Sequence, residues 1–250
     1  KLGLGWQAQF ATMLLPLAAY AFLFVGQSMP KTERVEMGVS TGDMFTACLH
    51  PVFLLLVVCM LLTAATELGP NQWIPNILEN AGVSGLLVLV WITGLMAVGR
   101  QFAGPFVHRL QPLGMLLGSA ILSAAGLFLM SQTSGPMLFA SATVFAFGVC
   151  FFWPTMLGYT NERFPKTGAL GLAIMGGAGM LSASYVLPVI GRWYDDGIAA
   201  RIPEGVTAEA LQGAEAGSED ALQWASIQAE AGLEAFGQVA YLPVGLAVIF

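Results

Sequence analysis

The chain has 250 residues, of which 56% are apolar and only 10% are charged, whereas an average soluble domain is about 25% charged. A single core of this size cannot bury so large an apolar excess, so composition excludes the ordinary globular, disordered and disulfide-framework classes and indicates a membrane protein whose main partner is the lipid bilayer. The formal net charge of −6 excludes nucleic acid as an expected partner, because phosphate binding needs a basic face.

Apolar stretches that reach or approach the length needed to cross the hydrocarbon core, about 20 helical residues, follow one another along the chain. The predicted spans cover residues 6–26, 44–66, 82–99, 112–130, 135–160 and 168–191. A seventh apolar stretch at 237–250 is predicted to be too short to cross, as expected for a piece of a longer protein. The stretches do not alternate apolar and polar residues, so helices are predicted instead of barrel strands. The predicted fold class is an all-α membrane protein, a polytopic transmembrane helix bundle.

Basic residues fall in alternating connections between these spans. Six of the nine Lys and Arg residues lie in the first, third and fifth connections: Lys31, Arg34, Arg100, Arg109, Arg163 and Lys166. Cytoplasmic connections are enriched in Lys and Arg, so these three connections are predicted to be cytoplasmic. The sixth connection, an acidic segment at about 192–236, is then predicted to be a long outer loop. The predicted location is the cell membrane, in particular the bacterial inner membrane, with several passes.

The outer end of the second span carries the most informative polar residues. Gly69 and Pro70 are predicted to interrupt the helix there, since proline removes a helical hydrogen bond. A carboxylate at membrane depth is costly and usually functional, so Glu67 is a candidate for binding a solute or a coupling ion. Four neighbours are assigned to the same pathway: Thr63, Asn71, Gln72 and Trp73. The alternative, a membrane edge near Thr66, would leave Glu67 in water as an interfacial residue, and both interpretations stay open.

Three aromatic residues are further candidates for the solute pathway. Trp91 lies in the third span, and Trp153 and Tyr159 lie in the fifth, where Pro154 is expected to kink the helix. Rings of this kind stack on the apolar faces of sugars. The alternative for each is packing or anchoring at the membrane interface, which is the more common role of such residues.

Small residues at short spacing predict close packing between helices. Such residues let helix backbones approach each other in a membrane. The positions assigned to this role are Gly114, Gly118, Gly176, Gly177 and Gly179. No paired-cysteine or histidine motif with the spacing of metal ligands is present in the sequence, so no metal site is predicted.

Three segments resemble motifs of the major facilitator superfamily. Residues 99–109, GRQFAGPFVHR, are similar to its loop signature after helix eight, although the acid expected before the basic residues is missing. Residues 161–169, NERFPKTGA, resemble the cytoplasmic start of helix eleven, and residues 66–73, TELGPNQW, resemble the outer part of helix seven in sugar-transporter-like branches. By this resemblance, the loop signature that biases the conformational state of the protein comprises Gly99, Arg100, Gly104, Pro105 and Arg109.

The resemblance implies a twelve-helix protein with two six-helix halves and alternating access to one central cavity. Residues 1–30 would be the last helix of the N-terminal half, residues 31–43 a cytoplasmic linker, and residues 44–250 the C-terminal half. The remaining N-terminal half would be a partner within the same chain. The implied function is secondary active transport of a small polar solute, a sugar or a related metabolite, and not an enzymatic reaction. No cofactor is expected, and coupling to protons or sodium, as in a symporter, is left open. The alternatives are a drug or metabolite exporter of the same superfamily and a non-transporting membrane subunit.

Overall fold

The computed structural model describes residues 5–28, 36, 38–80, 83–215 and 217–250. Part of the linker predicted at 31–43, including Lys31 and Arg34, lies outside these described residues. The chain divides into two units, Lys1–Ser40 and Thr41–Phe250. In the first unit, α1 (Trp6–Ala11) and α2 (Leu14–Phe24) follow each other. Helix α2 buries no residue within the unit, as expected for an apolar helix that faces lipid.

The second unit is helical throughout its regular elements. Its helices are α3 (Thr41–Cys48), α4 (Pro51–Asn80), α5 (Gly85–Gln101), α6 (Gly104–Gln132), α7 (Met137–Val149), α8 (Phe152–Arg163), α9 (Gly168–Ala199), α10 (Ala208–Gln212), α11 (Glu219–Val239) and α12 (Tyr241–Ile249). A 3-10 turn at Pro165–Thr167 leads into α9. Helix α4 packs against α5, α8, α9, α11 and α12 and thus occupies the middle of this unit.

Five helical stretches among the described residues are long and apolar enough to cross a membrane. They are Pro51–Glu79, Arg109–Gln132, Met137–Arg163, Pro165–Ala199 and Glu219–Ile249. Leu14–Phe24 and Gly85–Gln101 are shorter apolar helices. These elements confirm the predicted all-α polytopic class.

Three predicted segments have bounds that are wrong in ways that affect the interpretation. The second span begins at Pro51 instead of residue 44 and continues to Asn80, well past residue 66. The last apolar stretch is not too short, because α11 begins at Glu219 and adds its amphipathic turns to α12. Since α9 also continues to Ala199, the connection between α9 and α11 is shorter than the loop predicted at 192–236. Ala and Leu between the acids favour helix there.

Helix α4 is continuous through Gly69 and Pro70, so the predicted interruption is wrong. A Cβ at Gly69 would lie 2.8 Å from the Ile190 side chain of α9. The glycine therefore allows α9 to approach closely at the point where Pro70 lacks a helical N–H. By contrast, the helix does break in the fifth span, at residues 150–151 between α7 and α8, and Pro154 lies in the first turn of α8.

Most of the glycines predicted to lie at close helix contacts do not lie at one in the structure. A Cβ at Gly118, Gly176 or Gly177 would meet no described atom within 4 Å, and one at Gly114 would meet only Leu110 of the same helix. Within the described part of the chain, these four positions therefore do not lie at a close contact between helices. At Gly179, in contrast, a Cβ would lie 2.6 Å from the Trp153 ring.

Helices α6 and α7 instead touch through a reciprocal glycine pair. Gly126 of α6 lies against the backbone of Phe145, and Gly148 of α7 lies against the backbone of Ser123. A side chain at either position would overlap main-chain atoms of the other helix, which cannot move away as a flexible side chain can. These two glycines therefore set the distance between α6 and α7.

Candidate functional site

Glu67 is a buried carboxylate in the interior of a membrane-length helix. At 1.5 Å per residue it lies about 24 Å from the start of α4 at Pro51 and about 20 Å from its end at Asn80. Its side chain is 9% exposed. The structure therefore favours the interpretation that Glu67 lies at membrane depth over the alternative of an interfacial residue in water.

Arg100 approaches Glu67 from the neighbouring helix. Its Nη2 lies 3.4 Å from Glu67 Oε1, and its side chain is 39% exposed. Arg100 is about 22 Å from the start of α5, and a short connection joins α4 to α5, so the two side chains lie at similar depths. Arg100 was predicted to lie in a cytoplasmic connection. It lies within the last turn of α5 and is set apart from the other basic residues of the odd connections by its ion pair with Glu67.

The guanidinium also binds the helix break between α7 and α8. Arg100 Nε donates to the carbonyl oxygen of Cys150 at 2.9 Å. In a continuous helix the N–H four residues onward would bind this carbonyl, but residue 154 is proline and has no N–H. Arg100 thus satisfies an acceptor that Pro154 leaves open, and one side chain connects α5, α4 and the α7–α8 break.

Two buried acceptors on one face of α4 have no hydrogen-bond partner among the described residues. They are Oε2 of Glu67 and Oδ1 of Asn71. Residues four apart lie on the same helix face, so these oxygens are one turn apart. Since unpartnered buried acceptors cost free energy, this face is suited to accept a proton, a cation or the hydroxyl groups of a solute.

The other residues predicted near Glu67 are placed differently. The Thr63 hydroxyl is buried and donates to the carbonyl of Met60 in its own helix at 3.1 Å, so its proton is already used. The Gln72 side chain is exposed. Trp73 packs its ring 5.8 Å from that of Tyr194 on α9. Of the pathway residues predicted on α4, Asn71 alone joins Glu67 as a residue with an unpartnered buried oxygen.

The predicted aromatic residues do not form one group. Trp91 is exposed, and its Nε1 donates to Thr143 Oγ1 at 2.9 Å on α7, about 13 Å along α5 from Arg100. Trp153 is half-buried against Gly179. These contacts match the alternative of packing for both tryptophans.

A small cavity brings Tyr159 and Arg100 together. It has a volume of about 170 Å³ and lies between α5, α6 and α8, with Glu162 also on its wall. Small-molecule sites usually begin at roughly 300 Å³, whereas a water molecule needs far less. The cavity thus suits several water molecules beside the Arg100 guanidinium.

The remaining residues of the loop signature have few contacts. A Cβ at Gly99 would lie 2.9 Å from Cys150 Sγ, so this glycine lets α5 approach the helix break. Gly104 and Pro105 begin α6, Arg109 is exposed, and the helix is interrupted at Gln111, which has a φ of 55°. A positive φ is uncommon for a residue other than glycine.

Sequence reasoning missed both contacts of Arg100, the one with Glu67 and the one with the Cys150 carbonyl. For the carbonyl, a signal can be named, since Pro154 always leaves the carbonyl four residues earlier without a helical donor. What the sequence did not show is that the donor would come from Arg100.

The described fold and site define a multi-pass membrane protein with a charged pair between neighbouring helices. A comparison with family models matches residues 2–194 to the Major Facilitator Superfamily. The chain belongs to this superfamily of membrane transporters, as the motif resemblance predicted. Comparisons with curated proteins and with solved structures gave no match.

Proposed function

We propose that the protein is a secondary active transporter of a small polar solute, a sugar or a related metabolite, and that Glu67 and Asn71 bind the solute or a coupling ion. The observation that carries the proposal is the pair of unpartnered buried oxygens on one face of α4. In a membrane such acceptors need a hydrogen-bond donor or a cation. A hydroxyl-rich solute supplies a donor, and a proton or a sodium ion supplies the positive charge.

Arg100 gives this face a second property that transport requires. Glu67 Oε1 is already near the guanidinium, whereas Oε2 is free. When Oε2 takes up a proton or cation, the attraction between the carboxylate and Arg100 weakens. Since Arg100 also binds the α7–α8 break, occupancy of Glu67 is transmitted to a second element, as alternating access demands.

A drug or metabolite exporter of the same superfamily is the alternative, and a panel of solutes separates the two. The full-length protein is reconstituted in vesicles, and uptake is measured for hexoses, polyols, amino acids and a hydrophobic organic cation. The proposal expects hydroxyl-rich solutes to be transported and to compete with one another. Transport of the hydrophobic cation alone would favour the exporter.

Variants of α4 then test the binding face. Asn71→Leu keeps the approximate side-chain size and removes the amide, so the apparent affinity for the transported solute should fall roughly tenfold, the loss of one buried hydrogen bond. Glu79→Gln is the matched control, since Glu79 is on the same helix, is exposed and binds the Gly85 N–H at the helix end. Equal affinities of Asn71→Leu and the control would remove Asn71 from the site.

A further inference from the structure

A further cavity in the second unit lies away from Glu67. It has a volume of about 1000 Å³ and lies between α6, α11 and α12. Ser131 of α6 is level with Gly237 of α11, where a Cβ would lie 3.2 Å from the serine hydroxyl. Gly197 near the end of α9 is similarly close to Ala231. The cavity therefore opens near the end of the unit at which α6 and α9 end.

The lining changes from polar to apolar along the cavity. Near that end it is lined by Ser131, Gln132, Arg201, Glu230, Glu234 and Gln238. Further along α6 and α12, by about 12 Å from Gln132 to Ala124, it is lined by Ala124, Ala125, Phe128 and Val244. A polar mouth that leads to an apolar channel fits an amphiphile, with the headgroup at the mouth and an acyl chain along Phe128 and Val244.

The charges at the mouth select the headgroup. Arg201 Nη2 lies 2.8 Å from Glu234 and its Nε lies 3.3 Å from Glu230, so the three groups together carry one negative charge. A headgroup with only negative charge is repelled, whereas an ammonium group is attracted. In this arrangement the side chain of Glu230 is 67% exposed and that of Glu234 is 49% exposed, so both carboxylates are open to a further cation.

Two more features suit a headgroup that combines a primary ammonium with a phosphate. Gln238 Oε1 is buried and has no partner, so it is a free acceptor for an ammonium N–H at the cavity wall. Arg201 donates three of its five N–H groups to Glu230, Glu234 and the carbonyl of Gly197, which leaves two for a phosphate oxygen.

We propose that the cavity between α6, α11 and α12 is a binding site for an aminophospholipid, with its ammonium at Glu230, Glu234 and Gln238 and its acyl chain along α6 and α12. This site is separate from the solute pathway and does not depend on the proposed substrate.

Native mass spectrometry of the full-length protein in detergent tests the site, with phosphatidylethanolamine, phosphatidylcholine and phosphatidylglycerol of identical acyl chains as probes. Phosphatidylethanolamine should bind most tightly, because phosphatidylcholine has no ammonium N–H for Gln238 and phosphatidylglycerol has no cation. Equal binding of phosphatidylglycerol and phosphatidylethanolamine would overturn the proposal.

Variants of the lining residues test whether the preference for phosphatidylethanolamine arises in this cavity. Glu230→Gln with Glu234→Gln should weaken phosphatidylethanolamine binding roughly three- to tenfold, the expected range for exposed ionic contacts. Glu209→Gln with Glu215→Gln removes the same charge from exposed positions that do not line the cavity and should change nothing. If both double variants weakened lipid binding equally, the effect would come from the net charge of the protein and not from this cavity, and the proposal would be overturned.

Two single variants keep the test decisive if the double variant fails to fold. Gln238→Leu should remove the preference for phosphatidylethanolamine over phosphatidylcholine. Ala125→Phe places a ring in the apolar part of the cavity and should weaken both lipids equally. Unchanged lipid binding in both variants would overturn the proposal. Free ethanolamine that competes as well as the whole lipid at the same concentration would also overturn it, because the acyl chain would then contribute nothing.

Discussion

The guanidinium of Arg100 lies 3.4 Å from the carboxylate of Glu67 and joins α5 to α4 at a similar depth. The second oxygen of Glu67 has no hydrogen-bond partner among the described residues. Arg100 donates another N–H to the carbonyl of Cys150. The cation that pairs with Glu67 thus also binds the break between α7 and α8. Any change in the charge of Glu67 alters what holds Arg100.

Removal of Arg100 should destabilise the protein more than removal of both charges. Arg100→Ala leaves a buried carboxylate without its cation, whereas the double variant Glu67→Gln with Arg100→Ala leaves no charge unpaired. We expect Arg100→Ala to lower the free energy of unfolding by about 1–3 kcal/mol. This is less than for a fully buried pair, because Arg100 is partly exposed. The double variant should recover part of that loss. Thermal unfolding in detergent measures both, with Arg109→Ala as the exposed control. Equal losses in the single and double variants would show that the carboxylate left without its cation carries no cost.

Arg100→Lys should reduce the rate of transport more than the affinity for solute. A lysine keeps the positive charge near Glu67, but its single ammonium cannot reproduce the planar guanidinium that reaches two helices at once. The maximal uptake rate should fall several-fold while the half-saturating concentration changes little. A rise in the half-saturating concentration at an unchanged rate would make Arg100 a solute-binding residue instead of a link between helices.

Much of the fold could be predicted from the sequence because lipid imposes a simple rule, namely that every uncharged stretch of sufficient length forms a helix. The site was harder to predict. Glu67 stood out as an acid beside an apolar span, but its depth depended on whether the helix begins at residue 44 or at Pro51. Its partner Arg100 looked like a surface cation, because sequence periodicity carries no information about which residues of two neighbouring helices lie level.

Glycine spacing was an unreliable guide to helix contacts. The clusters at 176–179 and 114–118 drew attention, yet the close contacts between α6 and α7 are at the isolated Gly126 and Gly148. Whether a small residue is needed depends on which helix lies opposite, and the sequence of one helix does not contain that information.

Substitution of these two glycines by alanine should destabilise the protein, whereas the same change at a glycine without a close neighbour should not. Gly126→Ala and Gly148→Ala each place a methyl group against backbone atoms of the facing helix, and each should cost about 1–3 kcal/mol of stability. Gly118→Ala on the same α6 meets nothing within 4 Å and should be neutral or slightly stabilising, since alanine favours helix. Thermal unfolding of the three variants in one detergent measures the difference. A Gly118→Ala variant as unstable as the other two would contradict the packing described for α6 and α7.

The topology predicted from the basic residues is open to a labelling test. The three native cysteines are buried, so the unmodified protein should give little background with a membrane-impermeant thiol reagent. A cysteine at Gly217, in the segment before α11, should be labelled from outside intact cells. One at Lys166, in the turn before α9, should be labelled only after the membrane is opened. The opposite pattern would invert the assignment of the odd connections to the cytoplasm.

The central claim is that Glu67 lies on the pathway of the solute or its coupling ion, and Glu67→Gln tests it most directly. The variant keeps the shape of the side chain and removes its charge. In vesicles that contain the full-length protein, we measure uphill accumulation driven by a proton or sodium gradient and solute exchange at equilibrium, with Glu79→Gln as control. If Glu67 carries the ion, accumulation should fall at least tenfold while exchange survives, and if it binds the solute, apparent affinity should fall in both assays. A folded Glu67→Gln variant that matches the control in both assays would contradict the account.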